Sequence, residues 1–435
     1  MLRLILFYLP MGASALLASL THVIISGVLA RSPHPDLTIS GYAIALSLSF
    51  ILEQAIAPLR QTSAKYVKDQ HSFREMVRMI VTIVGIIALF NALIAWTPLG
   101  RLLFHYVFGA QDGLLDATVH AYQILMFVNV FSAARSLYQG IIIQHLLTKW
   151  MTIGILIRLF VMGLMSWAMV SWNLTNDSRY GAVLFLAGMA IESAVACFEG
   201  HSLARRLPDK LPSHPIKRWK PDIFPFYMPL LYGSIVSIVI GPATNAAMNQ
   251  SLDPIQAIAA FAVASNLAGL IAGFASFLHQ AVLNFHEQQP RHVLVLTTAL
   301  SIISTALVAS LAWTPLGHMV LEKGLGIHGE LLRNCTLILG VLIIRSAVYP
   351  WIDYLNGLAM YHGVNKTIAY SKFGNVILSV TLLFLLVDYS PGLNGLIAGI
   401  TSSVVVVFEL SLSVYLFRKA VQRKTILTFD AASLS

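Results

Sequence analysis

Long apolar runs, separated by short polar stretches, carry the chain from its first residues to its last turn. A helix needs about 20 mostly apolar residues to cross the hydrocarbon core of a bilayer. Twelve windows meet that length, at 4–30, 39–62, 77–97, 117–143, 150–172, 180–204, 223–248, 255–285, 293–313, 332–358, 366–388 and 393–417. The loops between them are short. The first run has only Arg3 ahead of it and is too long for the core of a cleavable signal, so it is read as a true first span.

Composition agrees with that reading. Of 435 residues, 57% are hydrophobic and 11% charged, against roughly 25% charged in an ordinary soluble domain. A soluble chain of this make-up could not cover its own surface with polar groups. A cytosolic enzyme, a nucleic-acid-binding module and a disordered chain are thereby excluded. Two cysteines, Cys197 and Cys335, are too few for a disulfide framework and read as small core residues.

The net charge of +9 is distributed unevenly. With the N-terminus in the cytoplasm, 19 of the 28 Lys and Arg fall on inner segments and five on outer loops. The inner group includes Lys366 and Lys372, taken as anchors at the start of span 11. This bias places both termini in the cytoplasm of a multi-pass protein of the plasma or inner membrane. The remaining four, Arg60, Arg135, Arg158 and Arg345, lie within spans.

The chain repeats itself. Ala95-Trp96-Thr97-Pro98-Leu99-Gly100 returns as Ala312-Trp313-Thr314-Pro315-Leu316-Gly317, an offset of 217. The same offset carries Gly140 to Gly357, His145 to His362, Lys149 to Lys366 and Glu192 to Glu409. Phe7-Tyr8-Leu9-Pro10 echoes Phe226-Tyr227-Met228-Pro229, and Leu52-Glu53-Gln54 echoes Leu278-His279-Gln280. A constant offset over such a length marks a duplicated unit. Six spans per unit is even, so both halves enter the membrane alike, as a parallel repeat. The expected fold is an all-α polytopic membrane protein, with twelve transmembrane helices as two six-helix repeats around a central cavity. Its parts are an N-terminal lobe at 1–206, a cytoplasmic linker at 207–221 with Pro208, Pro212, Pro215 and Pro221, and a C-terminal lobe at 222–435. After Trp-Thr-Pro-Leu-Gly stops spans 3 and 9, residues Arg101 to Gly109 and His318 to Gly326 read as short interfacial helices.

Enzyme motifs are missing: no Walker A, His-Glu-x-x-His, Cys-x-x-Cys or Gly-x-Ser-x-Gly pattern occurs. No catalytic residue, metal site or cofactor is expected, and transport through the chain would be secondary. Ionisable groups inside a span cost roughly 2.5–3.5 kcal/mol each, which makes each a site candidate. Arg135, Arg345, Gln54, Gln280, Asn245 and Tyr349 are expected to face a substrate cavity, near a helix break at Gly241-Pro242. Glu53, His22, His279 and Asp353 are candidates for ion coupling. Arg60 and Arg158 are expected to reach the inner surface, and Arg345 to be linked to Asp353. The symmetric pair Glu192 and Glu409 is expected to hold helices together within each lobe.

Two features resemble the multidrug/oligosaccharidyl-lipid/polysaccharide (MOP) exporter superfamily and its multidrug and toxic compound extrusion (MATE) fold. They are the Pro-Leu-Gly element after spans 3 and 9 and the early prolines, Pro10 and Pro229, in spans 1 and 7. Other segments are most similar to its progressive-ankylosis (ANK) branch: Gly41-Tyr42-Ala43 running to Ala57-Pro58, Leu355-Asn356-Gly357 with Lys366-Thr367, and Gly395 through Glu409 to Arg418-Lys419. That resemblance implies export of small anions such as citrate, ATP or pyrophosphate. The MATE branch usually carries a carboxylate midway along span 1, where this chain reads Leu20-Thr21-His22-Val23-Ile24. The expected function is therefore a secondary exporter of a small organic or phosphate-bearing anion. It would work by alternating access, as a monomer in the bilayer, coupled to H+ or Na+. The alternatives are a cation-coupled MATE antiporter resting on Glu53 and Asp353, and a flippase of lipid-linked oligosaccharides.

Overall fold

The computed structural model is built from helices. It describes residues 1–108, 110, 112–214, 216–325 and 327–433, without the side chains of residues 112, 324 and 424–433. Gly109, Pro215 and Gly326 thus lie outside the described residues. Among the described residues, twelve helices are long and apolar enough to cross a membrane. Spans 1 to 6 are Leu2–Leu29, Pro35–Tyr66, Gln70–Trp96, Gly113–Gln144, Lys149–Ser171 and Ser178–Arg205. Spans 7 to 12 are Phe224–Met248, Pro254–Phe285, Pro290–Trp313, Gly329–His362, Lys366–Tyr389 and Leu396–Arg423. They match the expected spans one for one. Several reach past the apolar window because polar residues start them. Span 3 begins at Gln70, where Asp69 accepts from the Ser72 N–H and the Ser72 hydroxyl accepts from the Asp69 N–H, a capping box. Large apolar side chains such as Ile86, Phe160, Ile302 and Ile377 stand exposed on the helices, as lipid-facing surface does. The protein is an integral multi-pass membrane protein.

The chain divides into two compact units, Ala13–Leu231 and Met1–Gly12 with Tyr232–Ser435. In the first, span 4 runs between spans 2 and 6, and span 5 packs on span 6. One core gathers Ile25, Tyr42, Ala45, Tyr122 and Met189, and another Ile56, Met76, Ile141 and Tyr227. In the second unit, span 10 is the central helix, packed by spans 8, 9 and 12. Ala260, Ala264 and Ala268 of span 8 join Cys335 and Leu339 of span 10 in its core, since small residues let helix backbones approach.

Among the described residues three spans are broken, and in two of them neighbouring side chains meet the freed backbone groups, as a water-free environment demands. In span 4, helix stops at Leu125 and resumes at Val128, and the Asn91 amide donates to the Met126 carbonyl at 3.3 Å. Span 8 stops at Ala275 and resumes at Leu278. There the Tyr8 hydroxyl donates to the Phe274 carbonyl at 2.7 Å, and the His279 N–H donates to Asp353 Oδ2 at 2.9 Å. Span 7 stops at Ser237 and resumes at Ile240. The break precedes Gly241-Pro242, because Pro242 has no N–H to offer the carbonyl four residues back.

Both copies of Trp-Thr-Pro-Leu-Gly fold alike. Span 3 ends at Trp96 and span 9 at Trp313, and Thr97 and Thr314 cap a second helix that begins at Pro98 or Pro315. Pro-Leu-Gly therefore opens the next helix rather than closing the last, which suits proline at a first helical position. The reversal brings Gly100 against the Ile94 carbonyl and Gly317 against the Leu311 carbonyl. A Cβ would sit 1.8 Å from the oxygen in either copy.

The stretch between spans 6 and 7 is tied down within the first unit. Gln70 N–H donates to the Pro208 carbonyl at 2.9 Å and Leu211 N–H to Asp69 Oδ2 at 2.9 Å. Trp219 N–H donates to Glu75 Oε2 at 2.9 Å.

Candidate functional site

Each unit encloses a charged cavity of its own. In Ala13–Leu231 it measures about 230 Å³, and His22, Ser49, Phe50, Glu53, Arg135 and Arg158 are among its lining. Ser132, Arg135 and Gln139 follow one another at helical spacing on span 4, so they share a face. That face meets Glu53 of span 2 and Glu192 of span 6. Glu192 Oε2 accepts from Arg158 Nη1 at 2.7 Å and from Arg135 Nη1 at 3.0 Å, while its Oε1 accepts from Gln139 Nε2 at 3.2 Å. Glu53 Oε1 accepts from the Ser132 hydroxyl and lies 3.7 Å from Arg135 Nη2. Arg60 Nη1 donates to Gln139 Oε1 at 3.3 Å. Three guanidinium groups thus face two carboxylates. His22 closes one wall, stacked on Phe185 at 5.7 Å and edge-on to Phe50.

The second unit's cavity measures about 380 Å³. Asn245, Arg345, Tyr349, Lys372, Asn375 and Glu409 supply much of its polar wall. Lys372, Asn375 and Ser379 repeat on span 11 the spacing of 132, 135 and 139, and again share a face. Lys372 Nζ lies 2.7 Å from Glu409 Oε1, and the Asn375 amide donates to Glu409 Oε2. Ser379 donates onward to Asn375 Oδ1 at 3.3 Å. Tyr349 follows Arg345 by four positions, so both project from one side of span 10. Among the described residues no carboxylate lies within ion-pair distance of Arg345.

Several expected positions therefore meet in cavities: Arg135, Glu53 and His22 in one, Arg345, Tyr349 and Asn245 in the other. Gln54 and Gln280 are not among the lining residues of either, and the Gln280 side chain is fully buried. Asp353 is not linked to Arg345. Its carboxylate accepts the His279 N–H and lies 3.0 Å from His279 Nδ1, because the break in span 8 leaves that backbone group without a partner. Arg158 does not reach for the surface either; its side chain is 4% exposed and clamped to Glu192.

Lys372, Asn375, Ser132 and Gln139 were not among the expected site residues. A signal for them existed. Lys372 lies a full turn and a half inside span 11, and it heads the same polar spacing that span 4 shows.

No family model and no curated protein matches the chain. Solved structures do. A MOP superfamily transporter from Pyrococcus furiosus aligns at TM-score 0.70 and 13% identity, over 96% of this chain and 95% of that one. It is described as having a binding pocket of reverse polarity that suggests a different function. A MATE transporter in a bent conformation aligns at TM-score 0.74 and 11% identity, over 99% and 96%. A eukaryotic MATE transporter aligns at TM-score 0.70 and 14% identity, over 97% and 98%. At such identities the likeness is one of fold. The chain has the twelve-helix fold of MATE transporters of the MOP superfamily.

Proposed function

We propose that the protein is a secondary transporter of a small organic or phosphate-bearing anion. Its lobes, 1–206 and 222–435 joined through 207–221, would alternate access to the two sides, with both termini in the cytoplasm. The observation that carries this reading is Arg345, a guanidinium without a carboxylate partner on the wall of a 380 Å³ cavity. Each cavity is lined by two cations and one carboxylate, Arg345 and Lys372 with Glu409, and Arg135 and Arg158 with Glu53. A cavity with surplus positive charge and low-dielectric walls concentrates anions and repels lipophilic cations. Arg also offers the planar fork that matches carboxylate and phosphate.

The rival reading, a cation-coupled multidrug antiporter, has the support of the fold, since one relative is a multidrug resistance MATE family transporter. It needs a carboxylate open enough to bind a bulky drug cation, a stricter demand than taking up H+ or Na+. Asp353 is held by His279, and Glu53 by Ser132 and Arg135. The anion reading is therefore preferred, with Glu53, His22, His279 and Asp353 as coupling candidates for H+ or Na+. Its kinship within the superfamily would then lie with the progressive-ankylosis branch. Flipping of a lipid-linked oligosaccharide through Arg135 and Arg345 is the third reading.

Flux into proteoliposomes decides among them. Labelled citrate and pyrophosphate are offered beside a lipophilic cationic dye, with and without proton and sodium gradients. Anion movement is expected, with Arg345→Ala lowering it at least tenfold while insertion stays normal. Gradient-driven dye movement without anion movement overturns the proposal in favour of the antiporter. Movement of neither favours the flippase.

A further inference from the structure

We propose that Lys372, Asn375 and Arg345 form a binding subsite for a compact dianion, and that Glu409 occupies that subsite until it takes up a proton. This rests on the anion reading above and adds a ligand charge and a coupling group to it.

Glu409 behaves as an internal substitute for the ligand. Its two oxygens take the Lys372 ammonium at 2.7 Å and the Asn375 amide, the donors on one face of span 11. Arg345 faces the same cavity from span 10 and has no carboxylate of its own. An anion that bridges Arg345 and Lys372 must therefore compete with Glu409 for the lysine. With Glu409 ionised, the cavity lining carries one net positive charge, from Arg345, Lys372 and Glu409. With Glu409 protonated, it carries two, the complement of a dianion. Among the described residues lining the cavity, the other titratable group is Tyr349 on span 10; spans 7 and 8 contribute Thr244, Asn245 and Ser265, which do not titrate.

The two units differ in just this respect. Glu192 is held by Arg158, Arg135 and Gln139, and the Arg158 side chain is 4% exposed. Lys372 is 27% exposed and can turn from its glutamate to a ligand in the cavity. The proton comes from solvent and stays on a Glu409 oxygen; Lys372 keeps its own throughout. One proton then binds with each dianion and travels with it.

Purified full-length protein in nanodiscs is titrated with succinate and, separately, with sulfate, which share two negative charges and do not themselves titrate in the range used. As the pH is raised from about 7 to about 8.5 the wild-type affinity is expected to fall, by at most about tenfold per pH unit, the limit for one linked proton. Glu409→Gln is expected to bind at least as tightly as wild type at the lower pH, without that slope. Lys372→Gln is expected to bind at least tenfold more weakly. The double variant, in which neither member of the Lys372–Glu409 pair is left without the other, controls for folding, with size-exclusion profiles for all four proteins. A slope retained in Glu409→Gln, or weaker binding by a well-folded Glu409→Gln, overturns the proposal. If wild type transports citrate or pyrophosphate in proteoliposomes yet shows no slope, this proposal fails and the transport reading stands. If it binds neither probe and moves neither anion, both fail. Response to succinate alone or sulfate alone assigns the subsite to dicarboxylates or to phosphate-like anions.

Discussion

Glu192 and Glu409, 217 positions apart, are both buried, and each holds a cation from the span before it at the same distance. Arg158 Nη1 lies 2.7 Å from Glu192, and Lys372 Nζ lies 2.7 Å from Glu409. The pairs are not equal in energy. Removing the carboxylate strands the cation: a buried one is left uncompensated at a cost of about 3–5 kcal/mol, whereas a partly exposed one can turn to water and costs about 1 kcal/mol or less. Glu192→Gln, which strands the buried Arg158, is expected to lower the unfolding temperature in detergent by many degrees, and Glu409→Gln, which leaves the partly exposed Lys372, by few. Intrinsic tryptophan fluorescence during a thermal ramp measures both. Equal shifts would mean that Lys372 is as structural as Arg158.

Span 4 and span 10 end in the same way, with one difference of residue. Leu147 N–H donates to the Ile142 carbonyl at 3.0 Å, and Val364 N–H to the Ala359 carbonyl at 2.8 Å, the longer bond of a Schellman turn. The residue that must adopt positive φ is Gly363 at +69° in one copy and Leu146 at +61° in the other. A side chain in that conformation costs roughly 1–2 kcal/mol. Leu146→Gly is expected to stabilise the protein and Gly363→Leu to destabilise it by a similar amount. The same thermal ramp tests both, and a destabilised Leu146→Gly would show that Leu146 contributes more by packing than it costs in backbone strain.

The spans were legible because twenty apolar residues in a row admit few other readings, and the repeat because Trp-Thr-Pro-Leu-Gly survived in both copies. The breaks in spans 4 and 8 were not. Ser276-Phe277 carries no proline, and what stabilises that break is Tyr8 and Asp353, far away in sequence. Depth along a helix also misled. Arg158 was placed by its distance from the span end, yet its partner is fixed by which face of span 6 it meets. Lys372 read as an anchor because a lysine near a helix start usually is one; only the neighbouring Glu409 turns it inward. Arg345 and Asp353 share a helix, but eight residues rise about 12 Å, and the break in span 8 had already claimed the aspartate.

The reversal after spans 3 and 9 gives a direct steric test. A Cβ at Gly100 or Gly317 would lie 1.8 Å from a carbonyl oxygen of the preceding helix, and backbone cannot move aside as a flexible side chain can. Overpacking of this kind costs about 1–3 kcal/mol. Gly100→Ala and Gly317→Ala are each expected to lower the unfolding temperature. Leu99→Ala, at an exposed position beside the first of them, is expected to leave it unchanged. If the alanine variants at both glycines unfold with wild type, the turn can open without cost.

Asp69 joins the start of span 3 to the stretch between spans 6 and 7, and its contribution should depend on pH. Partial burial alone would favour the protonated acid. The backbone N–H groups of Leu211 and Ser72, with the Ser72 hydroxyl and nearby His214, act the other way and hold its pKa below the ordinary carboxylate value. A group whose pKa is lowered by folding stabilises in full above its unfolded value, about 4. That stabilisation is lost as pH falls through the folded value. Hydrogen exchange corrected for intrinsic rates should therefore show the Leu211 amide protected at neutral pH and opening below about pH 4. At neutral pH, Asp69→Ala should open the same segment, because loss of such a cap costs about 1–2 kcal/mol. Trypsin should then cut after Lys210 about tenfold faster, the factor that 1.4 kcal/mol represents. If Asp69→Ala protects Leu211 as well as wild type does, the remaining ties, from Gln70 to Pro208 and from Trp219 to Glu75, hold that stretch without it.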